Sequence, residues 1–239
     1  MKKLLLVHGD KGGVGKSTLA SALIDLALAG GPICVVEGDI KVADVARRFS
    51  GIPDVLGLVI DLARPDGSED AIIGLFEKIE AAGAPEMIVV NLPAGASSTI
   101  DAQAQILHAA SREIGYEIRV AWMIGAGADS ARLAGESAIC RVADKKIAVF
   151  NAALGEIAKS VWMNHPARDA WLSSGGLETI MPALASRVMT EVRDRPGRYT
   201  DLIAPTSGLS VISRQIIKNW MSAIAAGPGG LMFHDGDEK

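Results

Sequence analysis

Aromatic residues, cysteines and long apolar stretches are all scarce in this sequence. Aromatics make up 4% of the 239 residues, too few for the stacking platforms that bind single-stranded nucleic acid. No apolar stretch reaches the roughly 18 residues that predict a transmembrane helix. The two cysteines, Cys34 and Cys140, lie far apart and outside any metal-binding spacing. This usage predicts reduced, buried thiols in a cytoplasmic protein.

Basic residues are not in excess either. The 24 lysines and arginines are outnumbered by 28 acidic residues, which gives a net charge of −4. This balance argues against a surface that coats nucleic acid, although it leaves room for a local basic patch. The best candidate for contacts to phosphates is a run of four arginines, a pattern that is more often a solvated face. They are Arg187, Arg193, Arg195 and Arg198.

The segment that organises the chain is residues 11–18, Lys-Gly-Gly-Val-Gly-Lys-Ser-Thr. It follows an aliphatic run at residues 4–7, typical of a strand buried on both faces, and it leads into a helical pattern. Glycines let the backbone turn its N–H groups inward, and the start of a helix adds the positive end of its dipole. The segment therefore predicts a phosphate-binding loop, with Lys16 at the β- and γ-phosphates and Ser17 on Mg²⁺. The predicted nucleotide-binding residues here are Gly12, Gly13, Val14, Gly15, Lys16, Ser17 and Thr18.

The loop departs from the general pattern G-x-x-x-x-G-K-S/T, because the first position of that pattern falls on Asp10. It meets a narrower variant, K-G-G-x-G-K-S/T, in which Lys11 adds an early lysine. In this respect the sequence resembles the ParA/MinD family of ATPases, whose deviant P-loop carries a lysine that reaches the nucleotide of a partner subunit. The resemblance implies ATP and Mg²⁺ as cofactors, a homodimer bridged by nucleotide, and catalytic roles for Lys11 and Lys16.

Polar residues follow two further predicted strands. The strand at residues 33–36 delivers Glu37 and Asp39 to its carboxyl end, where ligands bind in open parallel sheets. The resemblance implies that Asp39 orients the attacking water and contributes to the metal site. An exposed carboxylate in an ordinary strand-end turn is the alternative for both acids, and for Glu37 the two interpretations are equally balanced.

The strand at residues 87–90 ends at Asn91, where the Walker B segment of the family has an aspartate. We expect Asn91 to lie at the metal site, but an amide brings no negative charge to Mg²⁺. Nucleotide binding should therefore survive this replacement better than turnover does, and hydrolysis should be slow.

Two later positions are expected beside the base. A strand at residues 146–150 ends at Asn151, and the resemblance implies that its amide contacts adenine, although a polar residue satisfying its own turn is the alternative. Pro182 follows a strand at residues 178–181 and matches the proline-bearing segment that flanks adenine in the family. The segment 152–176 exceeds the usual family length, and we expect an inserted loop or short helix there that covers the nucleotide.

The alternation of strands and helices, together with the resemblance, predicts an α/β fold with a doubly wound, mainly parallel sheet and helices on both faces. The length and the 49% hydrophobic content suit one domain, which we place at residues 1–226. Residues 52–84 have a broken helical pattern. A last helix at residues 210–225 should pack on the sheet, and the acidic tail at 227–239 should be flexible. The packing positions of that helix are Ile212, Ile216, Trp220 and Ile224.

The acidic tail also bears on function, because it lacks the basic amphipathic helix that anchors MinD members to membranes. Within the family, the sequence looks most like ATPases of plasmid partition, plasmid stability or conjugative mobilisation, which implies a partner protein and makes DNA a candidate partner. Two alternatives remain open. One is a catalytically weak ATP-binding adaptor, and the other is a biosynthetic ATP-dependent enzyme on the same fold, against which Lys11 counts.

Overall fold

The computed structural model describes residues 1–64 and 66–235. Seven strands and thirteen α-helices are found in this part of the chain. The strands are β1 (Lys2–His8), β2 (Ile33–Glu37), β3 (Val55–Val59), β4 (Met87–Asn91), β5 (Tyr116–Ile124), β6 (Lys145–Asn151) and β7 (Leu177–Met181). The helices are α1 (Lys16–Ala27), α2 (Asp44–Phe49), α3 (Ser68–Ala81), α4 (Ser97–Ala102), α5 (Ala104–Glu113), α6 (Ala128–Glu136), α7 (Ala138–Val142), α8 (Glu156–Met163), α9 (Ala167–Ser173), α10 (Ser186–Val192), α11 (Tyr199–Leu202), α12 (Val211–Ile224) and α13 (Gly230–Phe233).

The strands form one sheet in the order β3-β2-β4-β1-β5-β6-β7, and every neighbouring pair is parallel. β1 lies near the middle and is buried on both faces, so Leu4 and Leu6 point into one core and Leu5 and Val7 into the other. Helices α1, α2 and α10 to α13 supply the core on the side of Leu5, and α3 to α9 supply the other core. The predicted doubly wound α/β fold, with helices on both faces, is confirmed.

One strand is absent from the sequence prediction. Residues 52–84 contain β3 as well as the expected helix, and the prediction of a purely helical region is wrong. β3 pairs only with β2 in the described sheet, and its side chains are mostly exposed or half-buried. An edge strand of this kind does not show the continuous apolar run or strict alternation by which strands are recognised.

The segment 152–176 forms α8 and α9, which pack on the sheet. The side chains of Trp162 and Trp171 are buried in the core of the face opposite α1, and their rings meet edge to face at 5.6 Å. Trp162 Nε1 donates to the Glu178 carboxylate at 2.7 Å, which satisfies its buried polar atom. The prediction that this segment covers the nucleotide is therefore wrong for both helices.

The end of the chain also differs from the expected flexible tail. Beyond α12 the backbone continues through a π-helical turn at Ala225–Gly229 into α13, and the side chain of Met232 is fully buried against the core. Packing of Met232 overrides the local signal from Gly227 and Pro228, so the tail prediction is wrong up to Phe233. Residues 236–239, the acidic end, lie outside the described part of the chain.

α12 begins after Ser210, whose hydroxyl caps it, and Trp220 and Ile224 are buried as predicted. Ile212 is 68% exposed, so its predicted packing on the sheet is wrong. Both cysteines are buried free thiols, as expected. None of the helices in residues 1–64 and 66–235 is long and apolar enough to span a membrane.

Candidate nucleotide-binding site

The carboxyl ends of β1, β2 and β4 meet at one edge of the sheet, and a cavity of about 320 Å³ opens there. The P-loop forms its floor, and the ends of β2 and β4 form its walls. Topology thus brings the predicted phosphate, metal and water-orienting residues to one place, as expected for ligand sites of open α/β sheets. The predicted site residues in its lining are Gly12, Gly13, Gly15, Lys16, Ser17, Thr18, Asp39 and Asn91.

Gly15 is the glycine that the loop most clearly requires. Its φ of 104° lies in the left-handed region, and a Cβ at this position would lie 2.6 Å from Asn151 Nδ2 and 2.9 Å from Met181 Cε. Gly15 is also the N-cap of α1, and it has no side chain that could accept from the first N–H groups of that helix. These free donors and the helix dipole make the start of α1 suitable for an anion.

Lys16 points into the loop that precedes it. Its side chain is buried, and Nζ donates to the carbonyl oxygen of Lys11 at 2.7 Å. Burial lowers the pKa of Lys16 to about 8, while the charges of Asp10 and Asp39 act in the opposite direction. A phosphate group beside this ammonium would provide the close counter-charge that it lacks and raise its pKa again.

Lys11 lies at the mouth of the same loop, on its outer side. Its ammonium pairs with Asp129 Oδ2 at 2.7 Å, with 45% of the lysine side chain and 52% of the aspartate side chain exposed. The hydrogen bond from Lys11 raises the lysine pKa and lowers the pKa of Asp129. The pairing of Asp129 with Lys11 is not predictable from the sequence, because 118 positions separate the two residues and the sheet is what brings β5 beside β1.

Glu37 and Asn91 form a buried pair at the ends of β2 and β4. Asn91 Nδ2 donates to Glu37 Oε1 at 2.9 Å and lies 3.4 Å from the hydroxyl oxygen of Ser17. Glu37 is fully buried and also accepts the N–H groups of Asp39 and Val45. Burial raises its pKa, while the bonds from Asn91 and the backbone oppose that shift. The alternative of an exposed carboxylate is therefore wrong for Glu37.

The residues around Ser17 present the oxygen ligands that Mg²⁺ prefers. Asn91 Oδ1 is buried and has no partner among the described residues, so it is free to accept a hydrogen bond from a metal-bound water. Asp39 Oδ1 accepts the N–H groups of Lys41 and Val42, which fixes this carboxylate in the cavity wall. No group of three or more His, Cys, Asp or Glu in residues 1–64 and 66–235 forms a metal site by itself.

Both polar atoms of the Asn151 side chain are hydrogen-bonded to the backbone. Its Nδ2 donates to Val14 O at 3.1 Å, and its Oδ1 accepts from Ala153 N at 2.9 Å. These bonds fit the alternative of a residue that satisfies its own turn. Asn151 nevertheless lines a second cavity of about 520 Å³ beside the P-loop, so a contact with the base stays a prediction.

Pro182 contributes its carbonyl oxygen to the core, where it accepts from Trp220 Nε1 at 2.7 Å. The preceding residue, Met181, is the one that packs against the P-loop, since its Cε lies close to Gly15. This role of Met181 is not predictable from the sequence, because the last residue of a strand carries no signal for a contact with a distant turn.

Three of the four arginines of the predicted patch make ion pairs or hydrogen bonds within the protein. Arg187 pairs with Glu191 at 3.5 Å, Arg195 donates to Ser207 O at 2.7 Å, and Arg198 lies 3.2 Å from the fully buried carboxylate of Asp25. Arg193 lines the second cavity. These contacts agree with the alternative of a solvated structural face, and they give no support to the predicted DNA contact.

His8 is a buried residue that sequence analysis does not identify. It ends β1, packs on Trp122 with the ring centroids 4.4 Å apart, and its Nδ1 accepts from Gly9 N at 2.8 Å. Burial, aided by the charge of Lys16, lowers the pKa of His8 to about 3. The imidazole is therefore neutral directly below the loop.

We expect this histidine to make the protein sensitive to acid. Because its folded pKa is about 3 and the unfolded value is 6.5, the unfolded chain binds more protons between these values. Its contribution to stability is complete above about pH 6.5 and is lost as the pH falls towards 3, by up to roughly 1.4 kcal/mol per pH unit. Denaturant unfolding of the wild type and of His8→Gln, from pH 7 to pH 4, measures how the free energy of unfolding of each protein changes with pH. If the free energy of unfolding falls with pH equally in the two proteins, His8 is not the source of the acid sensitivity.

Comparisons with known proteins agree with this architecture. MinD from Pyrococcus horikoshii, solved with Mg-ADP, aligns over 96% of this chain and 99% of its own, with a TM-score of 0.51 and 15% identity. The MinC:MinD complex of Aquifex aeolicus aligns over 92% of this chain and 96% of that chain, with a TM-score of 0.51 and 17% identity. These similarities show the fold, which is that of the MinD structures.

The chain is also similar in sequence to a curated protein. Protein MobD from Acidithiobacillus ferrooxidans is 27% identical over 195 residues, which cover 80% of this chain and 82% of that protein. No family model matches the chain.

Proposed function

We propose that this chain is an ATP-binding ATPase of the ParA/MinD type whose dimerisation is gated by the nucleotide. The observation that carries the proposal is the arrangement of the two P-loop lysines. Lys16 is 8% exposed and directed into the loop, whereas Lys11 is half-exposed at its mouth, held by Asp129. One lysine can neutralise the phosphates of its own site, and the other can extend to those of a facing protomer.

The residues at the strand ends have complementary tasks in this proposal. Lys16 and the first N–H groups of α1 hold the phosphates, and Ser17 ligates the magnesium ion, which compensates the negative charge of the phosphates. Asn91 holds a metal-bound water through Oδ1, and Glu37 supplies the negative charge that Asn91 lacks. Asp39 orients the attacking water. Because Glu37 acts through an amide, we expect slow hydrolysis.

The cellular role that we propose is plasmid partition, plasmid stability or conjugative transfer. Two observations support it. One is the Gly-Asp pair before the P-loop together with the Asn-Leu-Pro-Ala-Gly segment that begins at Asn91, and the other is the similarity to protein MobD. A partner protein is part of the proposal, and the MinD of Aquifex aeolicus was solved in complex with MinC.

A second candidate function is an ATP-binding adaptor with negligible turnover. The neutral side chain of Asn91 at the metal site favours it. ATP affinity and turnover, each measured with and without DNA, separate the two functions. Slow turnover with micromolar or tighter binding supports the ATPase, and tight binding without turnover under either condition supports the adaptor. Absence of ATP binding would reject both.

The exchange Asn91→Asp tests the metal site. It places a second carboxylate about 3 Å from Glu37, so one of the two should have a raised pKa and the metal-free protein should lose stability. With Mg²⁺ present, the added charge should tighten metal binding about 10- to 100-fold and increase ATP turnover. Magnesium titrations of stability and of turnover measure both effects.

The matched control is the double variant Glu37→Gln/Asn91→Asp, which exchanges the acid and the amide between β2 and β4. It keeps one carboxylate in the pair, so the stability lost by the single variant should largely return. If turnover of the single variant stays flat while magnesium binding tightens, Glu37 already completes the site in the wild type. Unchanged magnesium binding would show that Asn91 does not contribute to it.

A further inference from the structure

A third cavity, polar and about 400 Å³ in volume, lies at the amino-terminal end of β6. It is remote from the P-loop, because Lys146 in its lining precedes Asn151 by five residues on one strand, roughly 16 Å. Helices α6, α7 and α9 contribute to its other walls. The residues that matter for its chemistry are Cys140, Arg141, Asp144, Lys146, Trp171 and Ser174.

Lys146 is the unusual residue of this cavity. It is only 9% exposed, its Nζ donates to Ser174 Oγ at 2.8 Å, and Nζ lies 5.1 Å from the centroid of the Trp171 ring. None of the ion pairs found in residues 1–64 and 66–235 includes it. A buried ammonium without a counter-ion is costly, and proteins normally pair such charges.

The neighbours of Lys146 do not supply the missing charge. Burial lowers its pKa, the Cys140 thiol acts against that shift, and the guanidinium of Arg141 adds to it. The one acid in the lining, Asp144, is occupied elsewhere, since Oδ2 accepts from Ile118 N at 2.8 Å and Oδ1 lies 3.3 Å from Arg112. The cavity is therefore positive without a bound anion.

We propose that this cavity binds a small oxyanion, the carboxylate or phosphate group of a metabolite-sized molecule, with Lys146 as its counter-ion. The volume of about 400 Å³ lies within the range of small-molecule sites. Lys146 has three N–H donors and gives one of them to Ser174 Oγ. The Ser174 hydroxyl itself donates towards the carbonyl oxygens of Ala170 and Trp171, so it positions the Lys146 ammonium while the other Lys146 donors serve the anion. The site is independent of the nucleotide site.

The test is thermal unfolding of the whole chain titrated with sodium phosphate or sodium malonate, at ionic strength matched with sodium chloride. At a hundredfold excess over Kd, the preferred anion should raise Tm by about 5 to 10 °C. Lys146→Met keeps the apolar stem and should weaken binding at least about 10-fold, because bonds from a charged donor are lost. Lys78→Met, at an exposed position on α3, is the matched control and should bind as the wild type does.

The P-loop also attracts phosphate, so Lys16→Ala is measured in parallel. Stabilisation that persists in Lys16→Ala and is lost in Lys146→Met supports the proposal, and a preference for phosphate or for malonate identifies the anion. Ser174→Ala, at an exposed position, is the second variant and should weaken binding about 3-fold or more even if Lys146→Met does not fold. Absence of stabilisation by either anion overturns the proposal. The proposal is also overturned if the stabilisation is lost only in Lys16→Ala, or if the anion raises Tm equally in all variants.

Discussion

Replacing Lys16 with alanine should remove most ATP affinity and leave the fold intact. The ammonium lies inside the P-loop, 2.7 Å from the Lys11 carbonyl oxygen, and Lys16 lines the cavity in which we expect the phosphates to bind. Truncating one member of a buried, hydrogen-bonded charge pair costs about 2 to 5 kcal/mol, so we expect a loss of at least about 30-fold. Titration with ATP by calorimetry measures it.

The same contacts explain why the variant should stay folded. In the free protein, burial depresses the pKa of Lys16, which shows that its charge is poorly compensated. Removing it costs one hydrogen bond and relieves the desolvation of a cation. Thermal unfolding should therefore give a Tm close to that of the wild type. A folded Lys16→Ala protein that binds ATP as tightly as the wild type would refute the P-loop assignment.

The P-loop and the strand-end residues could be predicted because their signals are local. Six specified positions define the loop, and an apolar run followed by a polar residue places Asp39 and Asn91 at the carboxyl edge of the sheet. The partners of these residues could not be predicted. Glu37 and Asn91 are 54 positions apart, and their pairing depends on β2 lying beside β4 in the order of the strands.

The errors in the fold share one physical cause, which is that packing overrides local propensity. Gly227 and Pro228 are typical of a chain end without structure, yet Met232 is buried beyond them. Trp162 and Trp171, among polar neighbours, suggest a loop over the ligand, yet both fill the core on the other face of the sheet. A large apolar side chain within a polar segment is better evidence of packing than the average composition of that segment.

Lys11 is the residue on which the proposed dimer depends. Its ammonium is half-exposed and is engaged in an exposed ion pair with Asp129, a kind of contact that contributes little to stability. Exchanging that carboxylate for the triphosphate of a facing protomer therefore costs little and gains a more strongly charged partner. This exchange needs the third phosphate, so the free energy of dimerisation should depend on which nucleotide is bound.

We accordingly expect the wild type to dimerise with ATP or a non-hydrolysable analogue and to be mainly monomeric with ADP. Lys11→Ala should still bind one ATP per chain, whereas its dimer should be at least about 30-fold weaker, since a desolvated charge pair is lost at the interface. Lys78→Ala, which removes an exposed lysine on α3, is the matched control and should dimerise normally. Sedimentation velocity with each nucleotide distinguishes the outcomes. The dimer switch is wrong if Lys11→Ala dimerises with ATP as well as the wild type does, or if the wild type has the same oligomeric state with both nucleotides.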